Sequence, residues 1–396
     1  MNGAKTRRVL SVSTLFPNTA QPRFGIFVAK SLEAVQRDTH WDVEVLNPIG
    51  LPPLALGRYR ALSEAACDTQ EFGMTVHRLV FRLLPKSGGR LNPGLLTRAV
   101  LPLARELHAQ QPFDLVDAQF FYPDGPAAMA VARDLGLPFS VKARGADIHY
   151  WGARAYGRDA LLETADAAAG VLAVCETLAD DMAELGMARD KITVHYTGLD
   201  RDLFRPMDHV GLKKRLGESF GIPLAASDTV LVTVGALIER KGQAFVIKAL
   251  ADLPNARLLL VGAGADETSL RGLARQVGVA DRVHFLGSLE PALLPPILSA
   301  ADAMVLPSAS EGLANAWIEA LACGTPIVIT DAGGAREVVT SPAAGVIVAR
   351  TCRAVREGIE QVMRNPRPPQ MVAATVERFS WTANAAALAA HYDAVA

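Results

Sequence analysis

Short runs rich in Val, Leu and Ile alternate along this chain with longer Ala-rich segments whose apolar residues recur every three or four positions. The first kind reads as strand buried on both faces and the second as amphipathic helix; their alternation is the βαβ signature of a helix-covered parallel sheet. In the first half the pattern predicts strands over residues 8–13, 42–46, 75–79, 115–118, 139–143, 170–174 and 191–195, with a helix over 28–35. The series restarts with predicted strands over 229–234, 257–261, 282–285, 303–306, 327–330 and 345–348, and with helices such as 245–251 and 268–277. Between the two series, residues 204–228 are mixed in character and hold the turn-like Gly221-Ile222-Pro223, the best linker candidate. The expected architecture is α/β, with two tandem Rossmann-like domains, residues 1–205 and 206–380, and a cleft between them. The amphipathic segment 381–396 can cross back to join the first domain.

Bulk properties narrow the picture. A chain of 396 residues exceeds one ordinary core, and half apolar with a fifth charged describes a globular protein. A formal net charge of −1 gives no reason to expect nucleic acid as a partner. Cys67, Cys175, Cys323 and Cys352 lie far apart without a Cys-x-x-Cys pair, which argues against a zinc ribbon or a disulfide framework and for a reducing cytoplasm. Lys5, Arg7 and Arg8 precede the apolar run 9–16 in the manner of a signal peptide. That run is short, carries serines and a threonine, and is broken by Pro17-Asn18, so it reads as a first strand. No stretch of about 18 apolar residues occurs, and no membrane-spanning helix is expected.

The chemistry gathers where strands end. Glu311 and Glu319 stand eight residues apart across Gly312-Leu313-Ala314-Asn315-Ala316, a turn that runs into a helix-like segment closed by Cys323-Gly324-Thr325-Pro326. The strand at 327–330 then leads to Gly333-Gly334. In a parallel sheet both loops open at the same edge, where ligands bind. Free N–H groups at the helix start suit a phosphate, and the carboxylates can accept hydrogen bonds from sugar hydroxyls. This stretch reads as a site for a phosphorylated sugar.

Gly235, Arg240 and Lys241 follow the first strand of the second half: a Gly turn with two adjacent cations, either a diphosphate holder or a solvated basic turn. Gly262-Ala263-Gly264 lacks the third glycine of a dinucleotide fingerprint and reads as a tight turn. Gly25, after the first strand, either lets backbone approach a ligand or permits the turn itself. Arg144 and Asp147 gather after an apolar strand, as a salt-bridged loop or as part of a site. Asp200-Arg201-Asp202 has the Asp-x-Asp spacing of a cation holder but stands away from any Gly loop and reads as solvated. No His, Cys and carboxylate cluster has metal-ligand spacing, and neither a nucleophile elbow nor a Walker A loop is present. Between Glu71 and Glu106 there is no acidic residue, while Arg78, Arg82, Lys86, Arg90, Arg98 and Arg105 interleave with Leu, Val and Phe. Such a segment suits peripheral contact with an anionic membrane or an ordinary basic face.

These motifs, in order, resemble retaining family-4 glycosyltransferases of the GT-B fold over nearly the whole chain. The resemblance runs from Leu15-Phe16-Pro17-Asn18, through Asp117-Ala118-Gln119-Phe120-Phe121-Tyr122-Pro123-Asp124-Gly125 and Arg144-Gly145-Ala146-Asp147-Ile148, to His195-Tyr196-Thr197-Gly198-Leu199-Asp200 and the Glu311…Glu319 loop. It implies transfer of a sugar from a nucleoside diphosphate sugar, the donor substrate, with no resident cofactor and no essential metal. A glycan or lipid-linked acceptor is implied, in surface polysaccharide biosynthesis, in the cytoplasm or at the inner face of the cell membrane. Carried over by position, Glu311 contacts donor-sugar hydroxyls, Glu319 the ribose and Lys241 the diphosphate. The amides around Leu313, Ala314, Asn315 and Ala316 cradle the phosphates, Gly25 faces the same diphosphate, and Asp147 and Arg144 stand near the acceptor. Two positions depart from the family pattern: Ala236 replaces a customary Arg, and Gln119 a customary His that Gln cannot match as a titrating base. Those departures keep two alternatives open, a degenerate glycan-binding or scaffold subunit and a GT-B sugar-nucleotide epimerase.

Overall fold

The structure, a computed structural model, describes residues 6–52, 57–84, 86–208 and 211–396. Lys5 and the side chain of Lys86 lie outside the described residues. The chain forms two compact units, one of residues 1–198 with 381–396 and the other of residues 199–380.

The first unit is built on eight strands: β1 (Arg7–Val12), β2 (Trp41–Leu51), β3 (Thr69–Glu71), β4 (Met74–Arg82), β5 (Leu115–Ala118), β6 (Phe139–Ala143), β7 (Gly170–Ala173) and β8 (Ile192–Val194). Their spatial order is β3-β4-β2-β1-β5-β6-β7-β8. All pairings are parallel except β3 with β4. The apolar run after Arg7 and Arg8 is thus a central strand, with Val9, Leu10 and Val12 fully buried. The three polar residues of β3 were not predicted. They form a short hairpin turned at Phe72-Gly73, an edge pairing that carries no buried face and so no apolar signal.

Helix Trp381–Val395 belongs to this unit. Its Leu388 and Tyr392 join Val9, Leu32, Trp41 and Val43 in one core cluster, and the Tyr392 ring meets Trp41 edge-on at 5.3 Å.

The second unit holds six parallel strands: β9 (Thr229–Val234), β10 (Ala256–Val261), β11 (Val283–Gly287), β12 (Ala303–Leu306), β13 (Ile327–Thr330) and β14 (Gly345–Val348), ordered β11-β10-β9-β12-β13-β14. The order turns at β9, the doubly wound arrangement whose loops at the carboxyl ends collect ligands. The predicted linker is not one. Helix Leu212–Phe220 lies inside it, burying Leu212 and Leu216 one turn apart, and Lys213 Nζ bonds Asp302 at 2.7 Å and the Asp228 carbonyl at 2.8 Å. The division between units falls after Gly198 rather than at residue 205. Among the described residues no helix is long and apolar enough to cross a membrane.

Candidate functional site

In the second unit the predicted residues converge at the carboxyl ends of β9, β12 and β13. The turn after β9 brings Lys241 Nζ to 2.6 Å from Glu311 Oε1, and Arg240 Nη1 lies 3.3 Å from Glu311 Oε2. The Arg240 guanidinium also donates to the Ser310 carbonyl, and the Ala309 N–H donates to the Arg240 carbonyl at 2.7 Å, so the two loops are stitched together. Arg240 therefore turns toward the Glu311 loop. Gly235 places its backbone against the Lys241 stem: a Cβ there would stand 3.5 Å from Lys241 Cε.

The Gly-Gly loop backs this arrangement. A Cβ on Gly333 (φ 51°) would lie 2.3 Å from both the Glu311 and Gly312 carbonyl oxygens, so only glycine lets the loops nest. The Gly334 N–H then donates to the Gly312 carbonyl at 2.8 Å. Helix Asn315–Ala322 starts at this point. Among the described residues, no protein acceptor takes the N–H groups of Leu313, Ala314, Asn315 or Ala316, the open donors of a helix start.

Glu319 lies one turn into that helix. It keeps partial exposure in a recess, no hydrogen-bond or ion-pair partner reaches its carboxyl among the described residues, and the surrounding protein raises its pKa to about 7. The two carboxylates thus differ: Glu311 is ion-paired and Glu319 is unengaged.

The first unit arranges its predicted residues otherwise. Asp147 is fully buried, and its carboxylate accepts backbone N–H groups from Phe121 at 2.9 Å, Arg144 at 2.9 Å and Ile148 at 3.1 Å. Gln119 is also fully buried: its amide N–H donates to Asp117 Oδ2 at 2.5 Å, and its amide oxygen accepts from Arg144 Nη2 at 2.7 Å. Arg144 Nε adds a bond to the Gln119 carbonyl at 2.8 Å. Gln119 and Asp147, both fully buried, hold the loops after β5 and β6 through these bonds. Gln suits its place, since a neutral amide donates to a carboxylate and accepts from a guanidinium at any pH.

Deeper still, Lys142 Nζ stands 2.6 Å from His195 Nδ1, whose Nε2 lies 2.9 Å from the Asn384 carbonyl. Burial pushes both the Lys142 and His195 pKa values well below their usual range. A neutral imidazole donating through Nε2 and accepting through Nδ1 fits these partners. Sequence reasoning missed Lys142 and Asn384 as members of this interior, and with them the buried His391, whose Nε2 lies 2.7 Å from Ser140 Oγ; a polar residue within an apolar strand is the signal that marks the first. At Gly25 (φ 69°) a Cβ would lie 2.3 Å from the Leu15 carbonyl oxygen, so the turn alone requires glycine. Asp200 accepts from the N–H groups of Asp202 and Leu203 in a turn, and Arg201 donates to the Val376 carbonyl at 3.1 Å. Among the described residues, no three His, Cys, Asp or Glu side chains are grouped to hold a metal ion.

Two family models match successive regions of the chain. Residues 217–378 match the family model of Glycosyl transferases group 1, and residues 33–203 match that of Glycosyltransferase Family 4. A D-inositol 3-phosphate glycosyltransferase of Mycobacteroides abscessus is 35% identical over 163 residues, 40% of this chain and 35% of the relative, so the match spans about a third of that protein's length. TuaC of Bacillus subtilis, named for teichuronic acid biosynthesis, is 24% identical over 98% of both chains. The crystal structure of HepE from Anabaena in complex with UDP and glucose superposes with a TM-score of 0.72 at 19% identity, covering 98% of this chain and 99% of that one. At that identity the likeness establishes the GT-B fold.

Proposed function

This chain belongs to the GT-B glycosyltransferases that join a Family 4 amino-terminal region to a group 1 carboxyl-terminal region, and we propose that it is a retaining enzyme using a nucleoside diphosphate sugar. The acceptor is a glycan or lipid-linked glycan of surface polysaccharide biosynthesis, a reading supported by full-length similarity to TuaC. The observation that carries the proposal is Glu319, a recessed carboxylate with no partner among the described residues, one helical turn from four open backbone N–H groups. A ribose can satisfy the carboxylate with its hydroxyls while the diphosphate takes the N–H groups and Lys241. Glu311, released from Lys241 when the diphosphate arrives, accepts from the donor sugar. Arg240 supplies the second cation that Ala236 does not.

In this reading the bond from the anomeric carbon to the phosphate oxygen breaks while the acceptor oxygen bonds that carbon on the same face. The acceptor proton passes to the departing phosphate oxygen. The N–H groups and Lys241 stabilise the charge that develops on the diphosphate, without a bound metal and without a protein base. The buried Gln119 fits that economy, since nothing requires it to titrate.

Peripheral contact with anionic lipid belongs to the same proposal. Val80 (47% exposed), Leu83 (36%) and Leu91 (58%) are interleaved with the exposed Arg82, Arg90 and Arg98. Arg78 takes no part, being buried on Glu71, Thr69 and the Pro17 carbonyl. Anionic vesicle binding that survives replacement of Arg82, Arg90 and Arg98 by Ser would remove this element.

A panel of sugar nucleotides screened for thermal stabilisation, followed by transfer assays with the stabilising compound and lipid-linked acceptors, tests the whole reading. Transfer with retained anomeric configuration is expected. An epimerised donor without transfer, or stabilisation without turnover, would replace it.

A further inference from the structure

Along β1, β2 and β4, residues Val9, Trp41, Val43, Met74 and Val76 enter one core cluster. Strand alternation turns Arg8, Asp42, Glu44 and His77 to the opposite face, where they form a charged row. Arg8 Nε bonds Asp42 at 3.1 Å, its Nη2 bonds Glu44 Oε2, and its backbone N–H donates to Asp114 at 2.8 Å. His77 closes the row with a carboxylate on each ring nitrogen. Glu44 Oε1 lies 2.8 Å from its Nε2, and Asp68 Oδ2 lies 2.8 Å from its Nδ1. On the helix side the row meets Leu107, Gln110 and Gln111, none of which titrates, and the nearby Glu106 accepts from Gln110 at 3.2 Å.

These two contacts decide the protonation of the ring. An ionised carboxylate only accepts, so an imidazole that satisfies one on each nitrogen must donate from both and carry a charge. The hydrogen bond to Glu44, seconded by that to Asp68, holds the His77 pKa above its ordinary 6.5 against the opposing effect of burial. When the proton leaves, one nitrogen turns a lone pair to a carboxylate oxygen, and burial decides which side gives way. The Glu44 side chain is 12% exposed and that of Asp68 is 60% exposed, so Glu44 keeps the remaining N–H and Asp68 moves to water.

Asp68 is where the β3 hairpin is fastened. Beyond the pair Thr69 with Val76, its Oδ1 accepts the Arg78 N–H at 3.2 Å in place of a ladder partner. The buried Arg78 guanidinium donates to three groups of the same segment: Thr69 Oγ1 at 2.6 Å, Glu71 Oε2 at 3.0 Å and the Cys67 carbonyl at 3.4 Å. Its fourth bond, at 3.0 Å, goes to the Pro17 carbonyl in the loop after β1. At the hairpin turn the Phe72 ring meets Phe16 of that loop edge-on at 6.2 Å.

We propose that His77 is a pH-sensitive clasp on the first unit. Charged, it fastens the β3 hairpin and, through Arg78 and Phe72, the loop after β1; neutral, it releases Asp68, and both segments loosen. Because the folded-state pKa is raised, the stability this group contributes is complete below about 6.5 and is lost as pH rises through the folded value. The clasp operates whatever the chain transfers, and it is measured without donor or acceptor.

NMR titration of the full chain tests it, following the His77 ring, the Phe16 ring and hydrogen exchange of the Arg78 amide. The His77 midpoint is expected above 6.5, with the Phe16 resonances shifting at that same midpoint. Once the intrinsic pH dependence of exchange is removed, Arg78 protection should fall between pH 6.5 and the midpoint, about tenfold for each pH unit between them. His77→Gln should abolish that fall. Asp68→Asn, at a largely exposed side chain, should bring the midpoint down toward 6.5 and shrink the fall, and it carries the test alone if the first variant does not fold. A midpoint at or below 6.5, constant Arg78 protection, an unmoved Phe16 ring, or a fall that persists in His77→Gln would each overturn the clasp.

Discussion

The two units present the same kind of edge, the carboxyl ends of parallel strands, and use their polar residues there in opposite ways. In the first unit Asp147 and Gln119 are fully buried and committed to Asp117, to Arg144 or to backbone N–H groups, while Asp117 engages Gln119 and Ser11 through Oδ2 alone. In the second, among the described residues, Glu319 has no partner and four N–H groups at a helix start have no acceptor, and Arg240 remains partly exposed. A polar group that is satisfied internally shapes a loop; one left unsatisfied at the surface has its bonding capacity free for a ligand. Under the proposed function the first set serves as scaffold and the second binds the donor, although the sequence presents both as charged loops after apolar strands.

The largest expected effect tests the scaffold side. Asp147→Ala removes the acceptor of three buried N–H groups and the partner beside Arg144, a loss of the kind that costs about 3–5 kcal/mol. Thermal unfolding should move down by something on the order of 10 °C. An unchanged Tm would free Asp147 for a direct role in the reaction. On the donor side, Lys241→Ala should lower transfer by roughly 10²–10³, with Tm nearly unaffected. Near-normal transfer by this variant would dissolve the donor assignment. Between them stands Gln119→Leu, which leaves Asp117 Oδ2 and Arg144 each short of a partner inside the protein. A loss of about 1–3 kcal/mol in stability is expected, with transfer retained by the folded fraction. Loss of transfer at full stability would place Gln119 back in contact with substrate.

The sheets were largely legible because parallel strands buried on both faces must be apolar throughout, and no other element of that length is. Residues 303–306 and 327–330 were predicted at the boundaries they adopt. The edge strand β3 was illegible for the converse reason: Thr69, Gln70 and Glu71 bury no face. Helix Leu212–Phe220 was hidden by its charge, since only Leu212 and Leu216 mark its core side. Of the site, the sequence showed which loops carry charge and where they open. It could not show which charges are already spent. Lys142 pairs with a histidine 53 positions away, and Asn384 reaches the same interior from a helix nearly 200 residues further on, so neither fact is encoded in local spacing.

The smallest expected effect sharpens the comparison most, because it has opposite signs in the two states of the site. Burial raises the Glu319 pKa to about 7, above its ordinary value of 4.5. Between those values the folded chain binds a proton that the unfolded chain has released, so this group's contribution to stability is complete below about 4.5 and is lost as pH rises through about 7. The ionised carboxylate is therefore a liability to the empty chain at and above neutrality. Glu319→Gln should raise Tm at pH 8 by about 2–4 °C, what about 1 kcal/mol brings to a domain of this size, and should leave Tm at pH 5 nearly unchanged. The same substitution should weaken the sugar nucleotide, since two ribose hydroxyls lose an acceptor pair, and parent-chain affinity for the donor should rise with pH through about 7. A buried group that serves only the fold cannot give this pair of results, because its removal would not raise stability while lowering affinity. Were Glu319→Gln to destabilise the empty chain at pH 8, Glu319 would join Asp147 among the internally satisfied groups, and the contrast between the two edges would fail at its most telling residue.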